Sequence, residues 1–129
     1  MFGLAGCVAL LHGRSPFTIE PPNADWEREL HGFGWLRNLE AGRSLDVETL
    51  ARELVREWIA GNRRRQGRAW ALDVVARRVI AWLSHAALLL DGADKRPYSA
   101  IMRSLDEQVM LLSTAWRSAS DGYPRLLAV

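Results

Sequence analysis

The chain has one cysteine, Cys7, among 129 residues, so no internal disulfide can hold it together and stability has to come from packing. Its three histidines, His12, His31 and His85, lie too far apart for zinc-ligand spacing, and neither a metal nor another cofactor is expected. An excess of one charge is also missing, because Lys+Arg 17 against Asp+Glu 15 leaves a formal net charge of +2. A small arginine excess therefore accounts for the pI near 9.2 without a broad cationic surface, and nucleic acid is not implied as a partner. No apolar run reaches the ~18 residues that a membrane-spanning helix needs. The longest candidate, within residues 72–90, is interrupted by Arg77, Arg78 and His85.

The opening MFGLAGCVALLHG imitates a lipoprotein cleavage box in Leu4-Ala5-Gly6-Cys7. A signal peptide needs a basic start and an apolar stretch of about 7 to 15 residues. Here no Lys or Arg precedes Cys7 and the stretch is too short, so no signal peptide is expected.

What the chain does have is the composition of an ordinary globular domain, 49% hydrophobic and 25% charged, with six tryptophans. One domain with one modest core is the expectation. Residues 1–24 carry Gly3, Gly6, Gly13, Pro16, Pro21 and Pro22 and read as an extended arm, with one short strand pair around Leu4 to Leu11. Beyond it the pattern is helical. A first helix is expected from Asp25, acting as cap, to Glu40, with Gly42 ending it at positive φ. A second runs from Asp46 to Ala60, capped by Ser44 or Asp46 and stopped by Gly61. The third spans Leu72 to Leu90. The fourth spans Asp94 to Ala119, with Pro97 in its first turn and an inner face of Tyr98, Ile101, Leu105, Val109, Leu112 and Trp116.

The first helix, with ELHGFGWLRNLEAG at Glu29 to Gly42, is apolar on most sides. Leu30 and Phe33 share a face with Trp26, while Trp35 and Leu39 point almost opposite. The third helix is similar, through Leu72, Val75, Ala76, Val79, Ile80, Leu83, Ala87 and Leu90. The second and fourth are one-sided, with Arg52, Glu53, Arg56, Arg103 and Asp106 outward. Short connections make such helices antiparallel neighbours, so two stacked hairpins are expected, with helices one and three inside. Asp121-Gly122 reads as a turn, and Pro124 to Val129 as the start of a fifth helix, which suggests a longer protein.

Within the third helix Arg78 and His85 fall seven residues apart on one line, beside Trp82, which reads as a polar stripe. His31 sits one turn before Trp35. His31, Trp35, Arg78, Trp82 and His85 are the candidate binding residues, with indoles to stack on sugar rings and Arg or His to pair with carboxylates. The plainer alternative is hydrogen-bonded core histidines, packing tryptophans and an Arg77–Asp73 pair one turn apart. The loop GNRRRQGR, with Arg63, Arg64, Arg65 and Arg68, is either a solvated turn or a contact for phosphate or an acidic polymer.

The string W-x-x-E-L-H-G-F-G-W-L-R-x-L at Trp26 to Leu39 resembles the N-terminal helical region of heparinase II/III-like polysaccharide lyases of bacteria. Further matches follow in Ser15 to Phe17, Pro21-Pro22, Leu54-Val55, Trp58-Ile59, Ala69 to Ala86 and the stretch from Asp121. The resemblance implies an all-α region, antiparallel helical hairpins forming the first part of an (α/α) toroid at residues 25–129 behind the arm. In complete members further toroid helices and a β-sandwich domain follow. It implies β-elimination in a uronic-acid polysaccharide, glycosaminoglycan-like or alginate-like, in a bacterial cytoplasm or periplasm. The family's catalytic Asn, His and Tyr come from later segments. Asn23, Asn38, Asn62, Tyr98 and Tyr123 share no spacing with a histidine, so no catalytic residue is assigned and the chain alone is expected to be inactive. The competing expectation is a stand-alone helical interaction module, a short solenoid that binds a protein or peptide.

Overall fold

A computed structural model describes residues 2–4, 7–9 and 15–122, with side chains for 15–118. The expected tail at Leu126 to Val129 lies outside the described residues. Two three-residue strands, β1 (Phe2–Leu4) and β2 (Cys7–Ala9), pair antiparallel, with Gly3 opposite Val8. Among the described residues every other regular element is helical: α1 (Ala24–Gly32), α2 (Leu36–Ala41), α3 (Leu45–Gly61), a 3-10 turn (Arg68–Trp70), α4 (Leu72–Ser84), α5 (Ala86–Leu90) and α6 (Lys95–Gly122).

Capping explains where α1 and α3 begin. Asn23, not Asp25, caps α1, its Oδ1 accepting the Trp26 amide at 2.8 Å, while Asp25 and Glu27 place negative charge in the first turn. Ser44 does the same for α3, with its Oγ accepting from Val47 N at 3.2 Å. Gly61 is the last residue of α3, and Asn62 follows as its C-cap.

Both helices expected to be long and enveloped are broken. The first stops at Phe33, which adopts a left-handed conformation at φ 58 and donates its amide back to Leu30 O. A bulky side chain there carries a backbone cost, so the surroundings must over-determine it. Gly42, expected at positive φ, has φ -104. The third breaks at His85, at φ -113 and ψ 28, after which α5 buries Leu88 and Leu89. α6 runs on through Asp121 and Gly122, where a turn was expected.

The core forms where α4 meets α1 and α6, and where α3 meets α6 and α5. Trp26, Trp58 and Trp82 are almost fully buried, as are Phe33, Leu36, Val55 and Leu88. Each indole removed from water contributes about 4–6 kcal/mol before conformational entropy is charged against it. Arg52, Glu53 and Arg56 stay far more accessible than Phe33 and Val79, in keeping with a one-sided α3. α4, however, is not enveloped, since Leu72, Ile80 and Leu83 are exposed. On α6 the inward line is Ile101, Ser104, Leu105 and Gln108, whereas Tyr98, Val109 and Trp116 are exposed.

The arm joins this core at Ser15 to Thr18, a turn closed by Thr18 N donating to Ser15 O at 3.1 Å. It lays the Phe17 ring on Phe33 at 5.8 Å between centroids. Among the described residues, no helix is long and apolar enough to cross a membrane.

Candidate functional site, an arginine inside an aromatic core

Four of the five candidate residues meet in one place, and it is interior. The break after α1 turns Phe33 inward, where its ring lies 4.9 Å from Trp35 and edge-on to Trp82 at 5.5 Å and to Trp58 at 6.1 Å. Trp58 and Trp82 stand nearly perpendicular at 5.6 Å. Edge-to-face contacts of this kind set positive ring edges against negative faces, contributing about 0.5–1.5 kcal/mol a pair beyond burial. Trp35 also donates its Nε1 to Leu30 O at 3.0 Å, which fixes the chain on both sides of the break.

Arg78 enters this cluster from the middle of α4 with no exposed surface. Its Nε donates to Gln108 Oε1 at 2.6 Å, and its Nη1 to His31 O at 3.0 Å and Ala69 O at 2.8 Å. Gln108 in turn donates to Ser104 Oγ at 3.1 Å. One side chain thus satisfies the open carbonyls at the end of α1 and in the 3-10 turn while it grips α6. Its guanidinium carbon lies 4.0 Å from the Trp58 ring centroid and 5.2 Å from that of Trp70. These indole faces partly replace the carboxylate it lacks. Desolvation by burial pushes the Arg78 pKa down to about 9, which leaves it a cation at neutral pH. Its Nη2 and the Nε1 groups of Trp70 and Trp82 are buried without a hydrogen-bond partner.

His31 is the polar neighbour of this cation. Trp58 Nε1 donates to its Nδ1 at 2.9 Å, so Nδ1 carries no proton and the ring is the neutral Nε2–H tautomer. Burial, with Arg78 adding to it and Glu27 opposing it, lowers the His31 pKa from 6.5 to about 4. A neutral imidazole beside a buried arginine is the state that avoids two adjacent cations.

His85 is elsewhere. It sits at the α4–α5 break with Nδ1 on Glu40 Oε2 of α2. Around it lies a more open polar rim, where Arg43 reaches Glu48 at 3.0 Å and Asp91 at 3.6 Å, and Arg52 donates to Asp91 O at 3.0 Å. The hydrogen bond to Glu48 is the main cause raising the Arg43 pKa. Asp73 pairs with Arg28 of α1, not with Arg77.

Arg78 and His85 therefore do not share one surface line. Arg78, Trp35 and Trp82 are buried, and His31 and His85 are half-buried in separate networks. Sequence reasoning missed Ser104 and Gln108, although their i, i+4 spacing on the same face as Ile101 and Leu105 was the available signal. Trp58 was likewise outside the candidate set, although it contacts both His31 and Arg78. Among the described residues no group of three His, Cys, Asp or Glu side chains could hold a metal ion. Neither any protein-family model, nor any curated protein, nor any solved structure matches the chain.

Proposed function

We propose that the chain is the N-terminal helical scaffold of a heparinase II/III-like polysaccharide lyase that cleaves a uronic-acid polysaccharide by β-elimination. One observation carries the reading. Apart from the stretch at Asp121, the strings that resemble the family are spread from Ser15 to Ala86, and from them Phe17, His31, Phe33, Trp35, Trp58, Arg78 and Trp82 meet in one core, with Trp26 in a smaller cluster that also touches Phe17. What goes beyond ordinary apolar packing is that the core also takes in the polar residues of those strings, His31 and Arg78.

In this reading the segment positions the groups that do the chemistry and contributes none of them. Arg78 and Trp82 act on the substrate through the shape of the toroid wall, and His31 and His85 stand nearest to its surface. The base that removes the C5 proton and the donors that neutralise the uronate carboxylate come from later helices and a β-sandwich domain. Helical hairpins stacked around a cleft are the arrangement this implies. Exposed Ile80 and Leu83, one turn apart on α4, and Met110 on α6 are suited to receive further helices.

Those same exposed residues favour a second reading, a helical interaction module whose partner is another protein. The readings separate on activity. The longer protein, incubated with alginate, polygalacturonate and glycosaminoglycans, is expected to generate the ultraviolet absorbance of an unsaturated uronate end, while the 129-residue chain does not. Absence of that product on every polyuronate, with the longer protein folded, contradicts the lyase reading.

A further inference from the structure

The loop between α3 and the 3-10 turn carries three successive arginines, Arg63, Arg64 and Arg65, none of which makes an ion pair among the described residues. All three are exposed. The fourth arginine of the stretch, Arg68, is already neutralised by Glu27 at 2.9 Å. On a chain with a formal net charge of only +2, this places an uncompensated cluster at one point.

The loop is built and not merely loose. Asn62 fastens its start, with Nδ2 donating to Trp58 O at 2.9 Å. Gln66 N donates to Arg64 O at 2.9 Å, which curls the middle. Gly67, at φ 81 and ψ -171, makes a reversal that side-chain-bearing residues resist, and the turn closes with Trp70 N on Gly67 O at 3.1 Å. At its foot Trp70 lies 5.6 Å from Trp58 and seats the Arg65 guanidinium 6.0 Å from its own centroid. Because Trp70 also bears on Arg78, the loop is anchored to the buried Arg78 network. A guanidinium seated as that of Arg65 is, on a loop whose backbone is fastened, loses less entropy when it binds.

The geometry points to this loop as a contact site for an anionic polysaccharide, with Arg63, Arg64 and Arg65 taking its carboxylates. Guanidinium forks match carboxylates in two-point fashion, and repeating uronates present one such group per sugar. No aromatic ring interleaves the run at the surface, since Trp70 is occupied by its two arginines, and that disfavours single-stranded nucleic acid, which needs stacking platforms. The choice of a polyuronate as partner rests on the lyase reading, whereas the site itself rests on the loop alone.

The test is binding, with no catalytic readout. The chain is titrated at low salt with polygalacturonate oligomers, with neutral dextran and with single-stranded DNA of equal charge. Arg63, Arg64 and Arg65 are then replaced together by Ala, and a control changes exposed Arg56, Arg103 and Arg117 to Ala, removing the same charge from α3 and α6. Circular dichroism melts confirm that each variant folds. Salt-sensitive binding of the polyuronate, lost at least ten-fold in the loop variant and less than three-fold in the control, is the expected result. Equal losses, no binding by the unaltered chain, or tighter binding of DNA overturns the site. A longer protein that binds but releases no unsaturated product defeats the lyase reading and leaves the loop assignment standing.

Discussion

Arg78 and His85 are two turns apart in sequence and belong to regions governed by different physics. Arg78 exposes no surface to bulk solvent, and three oxygen acceptors and two indole faces take up most of the role of its hydration. At His85 the partner Glu40, and beside it the Arg43 pairs with Glu48 and Asp91, keep partial access to water. The same charge–dipole contact is therefore worth several times more in the first region than in the second. A polar residue in an apolar helix marks either a place where the helix meets water or one where the core needs a cation to tie segments together. Only the positions of its partners separate the two.

The comparison breaks most easily at Arg78. Replacing it with Ala leaves Gln108, His31 O and Ala69 O without their donor and empties the space against Trp58, so a loss of about 3–5 kcal/mol is expected. For a small domain that approaches the whole stability. Arg78→Lys should fare little better, because an ammonium cannot present Nε and Nη1 to three acceptors on different elements. Urea titration checks both, and a change under about 1 kcal/mol in either would place the cation outside the core framework.

Phe33 tests the same region from the backbone side. Phe33→Gly relieves a left-handed φ yet removes the ring that joins Phe17, Trp35, Trp58 and Trp82. The cavity dominates, so a net loss of about 2–4 kcal/mol is expected in thermal melts, with Phe33→Ala worse than Phe33→Gly. The reverse order would mean that the break is held by something other than this ring.

The acid response sharpens the contrast further. His31 has a folded pKa of about 4, below its ordinary 6.5, so the unfolded chain binds more protons between those values. Its contribution is fully present above pH 6.5 and is lost as pH falls through about 4. The melting temperature should drop over that interval. His31→Asn should flatten the drop, while Trp58→Phe should also weaken it by removing the donor that holds Nδ1 unprotonated. An unchanged acid profile in His31→Asn would refute the neutral tautomer.

The smallest effect belongs to the rim. His85→Ala breaks the contact with Glu40 in a partly solvated setting, so about 0–1 kcal/mol is expected, fading in high salt. A loss comparable with that of Arg78→Ala would erase the distinction between the regions.

Helix content was legible in the sequence because caps and apolar spacing are local signals: Ser44, Leu54-Val55-Trp58 and the stop near Gly61 each sit where a 3.6-residue reading puts them. The breaks at Phe33 and His85 were not. Neither is a glycine or proline, and what holds the chain there is side-chain contact that periodicity does not encode, Trp35 Nε1 on Leu30 O five residues back and His85 on the distant Glu40. Enclosure of α4 was overread for a related reason. Periodicity counts apolar residues without knowing whether a neighbour exists to cover Ile80 and Leu83. At the candidate site the residue types were identified but not their depth, since the acceptors that let Arg78 stay inside come from residues 30 to 47 positions away or from a 3-10 turn.

Hydrogen exchange at the arginine Nε–H groups, followed by nitrogen NMR, tests the buried cation most directly. Arg78 is predicted to give one signal strongly protected against solvent, exchanging only as fast as the molecule opens, and Gln108→Leu should abolish that protection by removing its acceptor. If every arginine Nε–H in the folded chain exchanges at the rate of a free side chain, Arg78 is not the interior tie between α1, α4 and α6, and the account fails.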